Sequence, residues 1–291
     1  MSVDVVSKTC DSTIVPGSGQ FLTTLGTVSL IKSASTVSLL TLASRITGML
    51  RDVLMNSAFG VSAWTDAFWV AFRIPNMFRR LFAEGAFSQA FVPVLAASKE
   101  RDGEAATHAL IDSVATLLTL ALVVTCVLGI VGAPVLVYVL ASGLAADGFH
   151  AAVQMTRWMF PYIACMSLVA LGAGVLNTWK NFAIPAATPV LLNVAMISAA
   201  WLGAPWFTSL GVQPIYAMAA GVMAGGALQL GAIWWAMQRR GLAPRLRLSV
   251  AGARAAWAQP DTRRIVHLMG PALLGVSVSQ ISLLINTQIA S

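Results

Sequence analysis

Apolar runs recur along this chain at lengths set by a bilayer rather than by a soluble core. A hydrocarbon layer about 30 Å thick takes about 20 apolar residues per helix. On that ruler the pattern predicts seven helical spans, at 28–58, 64–97, 109–140, 153–177, 184–204, 214–237 and 265–290. Residues 1–27 are polar and rich in Gly, Ser and Thr, and are expected to form a flexible extension. They do not read as a cleaved signal peptide, because the first apolar run is too long and carries internal charge. The second span is also too long, about 50 Å as a straight helix from Asp66 to Ser98. Pro75 lacks a backbone donor and disfavours helix at Ile74, so a kink or break is expected near Arg73–Asn76. Gly48 and Pro75 are the candidate hinges of a transporter that rocks between two open states. The bland alternative is an ordinary proline kink without a moving role.

Composition supports the membrane class. Hydrophobic residues make up 57% and charged ones 10%, against about 25% charged in soluble domains, and mean hydropathy is +0.78. The predicted fold class is an all-α polytopic membrane protein. The net charge of +7 does not point to nucleic acid, because seven of the eighteen basic residues lie inside the spans. The remainder mark orientation. Lys8, Lys99, Arg101, Lys180 and the seven arginines from Arg239 to Arg264 occupy the N-terminus and the even connections. The connections near 59–63, 141–152 and 205–213 hold no Lys or Arg. This asymmetry places the N-terminus and every even connection in the cytoplasm.

Eight charged side chains interrupt the first two spans: Arg45, Arg51, Asp52, Asp66, Arg73, Arg79, Arg80 and Glu84. Each central Arg or Asp costs about 2.5–3.5 kcal/mol in hydrocarbon even on the lenient insertion scale. They persist only by facing water, one another or a charged ligand. Five arginines against three carboxylates leave a positive cavity suited to a large anionic substrate. Arginine's planar fork also matches phosphate better than a lysine does. Arg45 and Asp52 share a helical face, as do Asp66, Arg73, Arg80 and Glu84. A kink at Pro75 leaves open whether Arg79 or Arg80 faces inward. The competing reading is structural pairing, Arg45 with Asp52 and Arg73 with Asp66. Arg157, near the outer start of span four, is expected to snorkel to the interface.

Other candidates are weak. Cys10, Cys126 and Cys165 form no disulfide or metal pattern, and His108, His150 and His267 have no second ligand nearby. Gly221 and Gly225 read as a close-packing GxxxG. Gly172 and Gly174 lack the context of a dinucleotide fingerprint. No Walker lysine, Ser/His/Asp set or HExxH is present, so neither an enzyme nor a cofactor is predicted.

Specific strings carry a resemblance. Ser44–Arg45–Ile46–Thr47–Gly48, Arg51–Asp52 and Thr65–Asp66–Ala67–Phe68 closely resemble the MviN/MurJ lipid II flippases. So do VAFRIPNMFRRLFAEGAFSQAFVPVLA (Val70 to Ala96), LNTWKNFAIPAATPVLLN (Leu176 to Asn193) and MGPALLGVSVSQISLLINT (Met269 to Thr287). Arg73 stands where family members often carry Lys. The resemblance implies an inner-membrane protein of the multidrug/oligosaccharidyl-lipid/polysaccharide exporter superfamily, with two six-helix lobes and two further helices. On that plan residues 28–237 are the first lobe, 238–264 a basic cytoplasmic loop, and 265–291 the start of a truncated second lobe. The implied substrate is the undecaprenyl-pyrophosphate-linked peptidoglycan precursor, moved to the periplasmic leaflet by alternating access. Membrane lipids and cell-wall synthesis proteins are further implied partners. Arg45, Arg51 and Arg79 correspond to cavity arginines and Asp66 to a functional acidic position, with Arg73, Arg80 and Glu84 beside them. An Asp-Arg pair of the family's eighth helix is absent, and the chain is not expected to transport alone. The alternatives are an exporter of another lipid-linked oligosaccharide or drug, and a non-transporting scaffold for cell-wall synthesis.

Overall fold

The computed structural model describes residues 18–79, 87–141 and 143–289, and its described elements are all helical. Helix α1 (Ser18–Phe59) begins inside the stretch expected to be a flexible extension, of which residues 1–17 lie outside the described residues. The second span divides into α2 (Ala63–Arg79) and α3 (Phe87–Arg101). Of the kink or break expected near Arg73–Asn76, the break does not occur: Pro75 is buried inside α2, which stays helical to Arg79. A proline is tolerated within a membrane helix whose neighbours compensate the lost bond.

The third to fifth spans are also composite. Span three is α4 (Gly103–Val131) and α5 (Ala133–Leu140), broken at Gly132, with Pro134 in the first turn of α5. Span four is α6 (Ala146–Met159) and α7 (Tyr162–Thr178), parted at Pro161, whose missing N–H cannot continue the ladder. Span five runs from α8 (Ala183–Ser198) through a π turn at Ala199–Gly203 into α9 (Ala204–Ser209). Then come α10 (Tyr216–Arg239), the short α11 (Val250–Ala258) and α12 (Pro260–Ile289). Gly241, at φ 67°, turns the chain out of α10 in a conformation that costs other residues more. Among the described residues, four helical runs are long and apolar enough to cross a membrane: 103–131, 146–178, 183–209 and 216–239.

The two ends of the bundle differ in chemistry. At one end the starts of α2 and α10 meet the last turn of α6, with the Trp64 and Tyr216 rings 6.5 Å apart and Trp158 5.4 Å from Tyr216. At the other end Lys99 lies 4.0 Å above the Trp179 ring. Arg101 there bonds Asp102 at 2.7 Å and Asp261 at 3.0 Å, joining the α3–α4 corner to α12. The hydrogen bond from Arg101 holds the Asp102 carboxyl below its ordinary pKa. The basic connections therefore share one end.

Packing centres on α10, which lies against α8 and α7, while α2 rests on α6 and α1 on α8. Phe68, Phe91, Met155, Ile163 and Val222 are fully buried in this core. Gln229 of α10 donates from Nε2 to the Thr188 carbonyl of α8 at 2.9 Å. Just beyond it the expected glycine contact is realised. A methyl on Gly221 would lie 2.5 Å from Ala199 Cβ, and one on Gly225 would lie 2.7 Å from Leu192 Cδ1 and 3.0 Å from its Cα. The backbones approach because nothing projects between them. Gly225→Val should destabilise the bundle by about 1–3 kcal/mol through overpacking, lowering the melting temperature in detergent. Gly231→Val, where a side chain meets open space, should have the smaller effect in the same measurement.

Candidate functional site

Among the described side chains, the charged residues of α1 and α2 divide into one clasped pair and several free groups. Arg51 is at the centre of the clasp. Its Nε and Nη2 donate to Asp52 Oδ1 at 2.9 and 2.7 Å, and its Nη1 donates to Asn193 Oδ1 of α8 at 3.0 Å. Met196 Sδ sits 3.9 Å from the same Nη1. Asn193 uses its amide hydrogens in the opposite direction, giving 3.0 Å bonds to the Ser44 carbonyl and to Thr47 Oγ1. Thr47 in turn donates to the Ala43 carbonyl at 2.8 Å. One amide thus satisfies groups on two turns of α1. Gly48 lies against the same amide, and a methyl there would meet Asn193 Nδ2 in ordinary contact at 3.5 Å.

Helical geometry explains which arginine is clasped. At 100° per residue, Arg45 and Arg51 point about 120° apart, whereas Arg45 and Asp52 diverge by only about 20°. Docking the Arg51 face on α8 turns Arg45 outward. Asp52 stays half-exposed, its side chain 47% accessible against 16% for Arg51.

The pairing expected between Arg45 and Asp52 is not formed, because Asp52 is taken by Arg51. Nor do Asp66 and Arg73 pair; seven residues of helix put them about 10 Å apart, beyond the reach of the i,i+3 and i,i+4 pairs. Arg45, Asp66 and Arg73 are exposed and have no hydrogen-bond or ion-pair partner among the described residues. Arg80 and Glu84 lie outside the described residues, as does the side chain of Arg79. Helix α1 is placed by α8, and α2 by α6. Pro75 is buried, and Arg157 is exposed.

Asn193 is the residue that the charge pattern does not reveal. Its signal is subtler: a lone amide in the apolar run Pro189 to Ile197, the kind of side chain that bonds across membrane helices.

Comparison with known proteins fits this architecture. In solved structures the fold is that of multi-pass transporters. It matches a MOP superfamily transporter from Pyrococcus furiosus at TM-score 0.66 and 13% identity, over 87% of this chain and 54% of that one. It matches "Lipid II flippase MurJ, inward closed conformation" at TM-score 0.67 and 25% identity, over 84% and 48%. The family described as Lipid II flippase MurJ matches residues 55–291. The lipid II flippase MurJ of Burkholderia cenocepacia is 49% identical over 91% of this chain and 50% of its own length. A probable lipid II flippase MurJ of Vibrio cholerae is 40% identical over 90% and 50%. The chain belongs to the MurJ lipid II flippase family, and it is a multi-pass membrane protein. It spans about half the length of the curated relatives it matches.

The clasp predicts an unequal response to truncation. Arg51→Ala leaves Asp52 and the Asn193 Oδ1 unpaired, and Asn193→Ala removes the three 3.0 Å bonds that tie α8 to α1. Each should cost about 2–4 kcal/mol, from charge-assisted bonds lost and polar groups left unsatisfied. Arg45→Ala and Arg73→Ala should stay within about 0.5 kcal/mol, as for side chains free of such ties. Melting curves of the four variants in one detergent check the order.

Proposed function

We propose that this chain supplies the arginine-bearing half of a lipid II flippase, and that Arg45 and Arg73 hold the diphosphate of the lipid-linked precursor. One observation carries the reading: in a membrane protein of this family, two guanidinium groups are exposed on helices without an acidic partner among the described residues. Such groups are retained in membrane helices at a cost, which a bound anion offsets. Arg79 and Asp66 join them on the strength of the sequence resemblance, and Arg80 and Glu84 on that of the charge pattern. The clasp at Arg51 has a different part, holding α1 against α8 so that Arg45 is presented at a constant angle. Gly48 and Pro75 are the flexing points.

The reading extends to placement. Residues 28–237 form the first lobe, 238–264 the basic connection, which includes the first turn of α12, and 265–291 open the second lobe. The basic end faces the cytoplasm, as the positive-inside rule requires, and the membrane is the bacterial inner membrane. The precursor enters from that side, its lipid tail stays in the bilayer, and alternating access carries the head group across. No bond is made or broken, so the work is one of binding and release.

The test uses a transport-competent protein that contains this chain. Arg45→Ala should lower translocation of labelled lipid II by about tenfold to hundredfold, the equivalent of one charge-assisted contact of about 1.5–3 kcal/mol. Arg45→Lys keeps the charge but loses the two-pronged geometry and should fall between. Membrane abundance should be the same for all three. Unchanged translocation in Arg45→Ala would favour a scaffold, or a transporter whose ligand is held elsewhere.

A further inference from the structure

The basic end carries a second set of unneutralised charges. From Gln238 to Arg264 there are seven arginines and one carboxylate, Asp261, and Arg101 already binds that carboxylate. All seven arginines are exposed. Two of them serve the fold through the backbone alone. The Arg245 N–H donates to Asp112 Oδ1 at 2.8 Å and the Arg247 N–H to Thr116 Oγ1 at 3.2 Å. This straps the segment to α4 while both guanidinium groups stay free of the strap.

The height of the strap is informative. The first turns of α4 hold Glu104, His108, Asp112, Ser113 and Thr116, whereas residues 117–140 contain no charged side chain. That apolar stretch measures about 36 Å as helix, so the strap and α11 lie at the lip of the hydrocarbon layer. Helix α11 is built for such a position. Gly252 and Ala256 are buried, on the face toward α4, Val250 and Arg254 are exposed on the opposite face, and Trp257 is also exposed. Leu246 and Leu248 are exposed between the strap arginines. Aromatic, aliphatic and basic groups alternating on one surface are the pattern of a segment lying in the headgroup region.

Below Trp257 an apolar cleft of about 310 Å³ opens between α4 and α12, lined by Phe87, Val114, Leu118, Ala121, Ile265 and Met269 among others. Arg263 stands near its mouth, donating from Nε to the Trp257 carbonyl at 2.7 Å. Positive charge above a narrow apolar slot is complementary to one kind of molecule.

We infer that this end seats an anionic glycerophospholipid, with its phosphodiester among Arg245, Arg247, Arg254 and Arg263 and an acyl chain in the cleft. The inference rests on the membrane embedding of α4 and does not depend on which substrate is carried or in which direction. The seat ties the loop after α10 to the bilayer surface, so the charge of the surrounding leaflet acts on the α10–α12 connection.

The test is lipid titration of the purified protein in detergent, with dioleoyl phosphatidylglycerol or dioleoyl phosphatidylcholine, and with bound lipid counted by native mass spectrometry. The wild type should bind phosphatidylglycerol at least tenfold more tightly. Each arginine near an anionic headgroup contributes about 1 kcal/mol, or about fivefold. Arg245→Gln/Arg247→Gln/Arg254→Gln should therefore weaken phosphatidylglycerol by about a hundredfold and bring it level with phosphatidylcholine. Ala121→Trp, which fills the cleft, should weaken both lipids together. If the triple variant does not fold, the wild type still decides by salt. Its preference for phosphatidylglycerol, read by fluorescent-lipid displacement, should fall as ionic strength rises from about 0.1 to 1 M and the screening length shrinks from about 10 to 3 Å. Equal binding of the two lipids by the wild type overturns the proposal, as does a preference that survives the triple change or high salt. Indifference to Ala121→Trp places the acyl chain elsewhere and overturns the seat. Binding of undecaprenyl pyrophosphate without phosphatidylglycerol would assign the site to the carried lipid and likewise overturn it.

Discussion

A guanidinium group set in a membrane helix must find a partner, and the arrangement of α1 follows from how Arg51 finds two. Asp52 neutralises it and Asn193 accepts its remaining fork. The same amide then ties off the Ser44 carbonyl and Thr47. Neither partner is a long, flexible side chain, so little conformational entropy is lost in holding the geometry. Helix α1 exposes Leu39, Leu42, Ile46, Met49 and Val53 and rests on α8 and the π turn that follows it. That packing and the polar contact together set its orientation. Turning Arg51 into that contact is also what turns Arg45 away from it. A single rotation of the helix separates a clasped arginine from an exposed one.

The same separation runs through the rest of the chain. Where a charge serves the fold, its partner is close in space: Arg101 with Asp102 and Asp261, Lys99 with Trp179. Where the side chain stays free, the backbone carries the structural duty, as at Arg245 and Arg247. Helix α10 supplies the stiffness against which this happens. Its Gly221 and Gly225 let α8 come close, and its Gln229 bonds the same helix, so the carrier of Asn193 is itself held firmly.

Much of this was legible in the chain, for physical reasons that differ by residue. Apolar run length set the helical class and the location of the connections, because the bilayer imposes a fixed thickness. The GxxxG at Gly221 worked as a local signal, since close approach needs only a missing side chain. The breaks inside spans were less visible. Pro75 sits within a continuous α2, whereas Gly132 and Pro161 end helices, and what decides between these outcomes is the surrounding packing. Pairing was misread for a related reason. Facial periodicity put Asp52 with Arg45, but the angle between side chains says nothing of the distance along the axis, and the neighbouring Arg51 is nearer. Asn193 and Asp261 were invisible as partners because their contacts cross 142 and 160 residues of sequence.

The central claim is that Arg51 is locked in protein while Arg45 faces the space where a ligand binds. Single cysteines at positions 45 and 51, in a background with Cys10, Cys126 and Cys165 replaced by Ser, test it directly through reaction with a small, charged, membrane-impermeant thiol reagent. The cysteine at 45 should react at least about tenfold faster than that at 51, in keeping with the exposed and half-buried positions of the native side chains, and added lipid II should protect it. Equal rates at the two positions, or faster reaction at 51, would contradict the account.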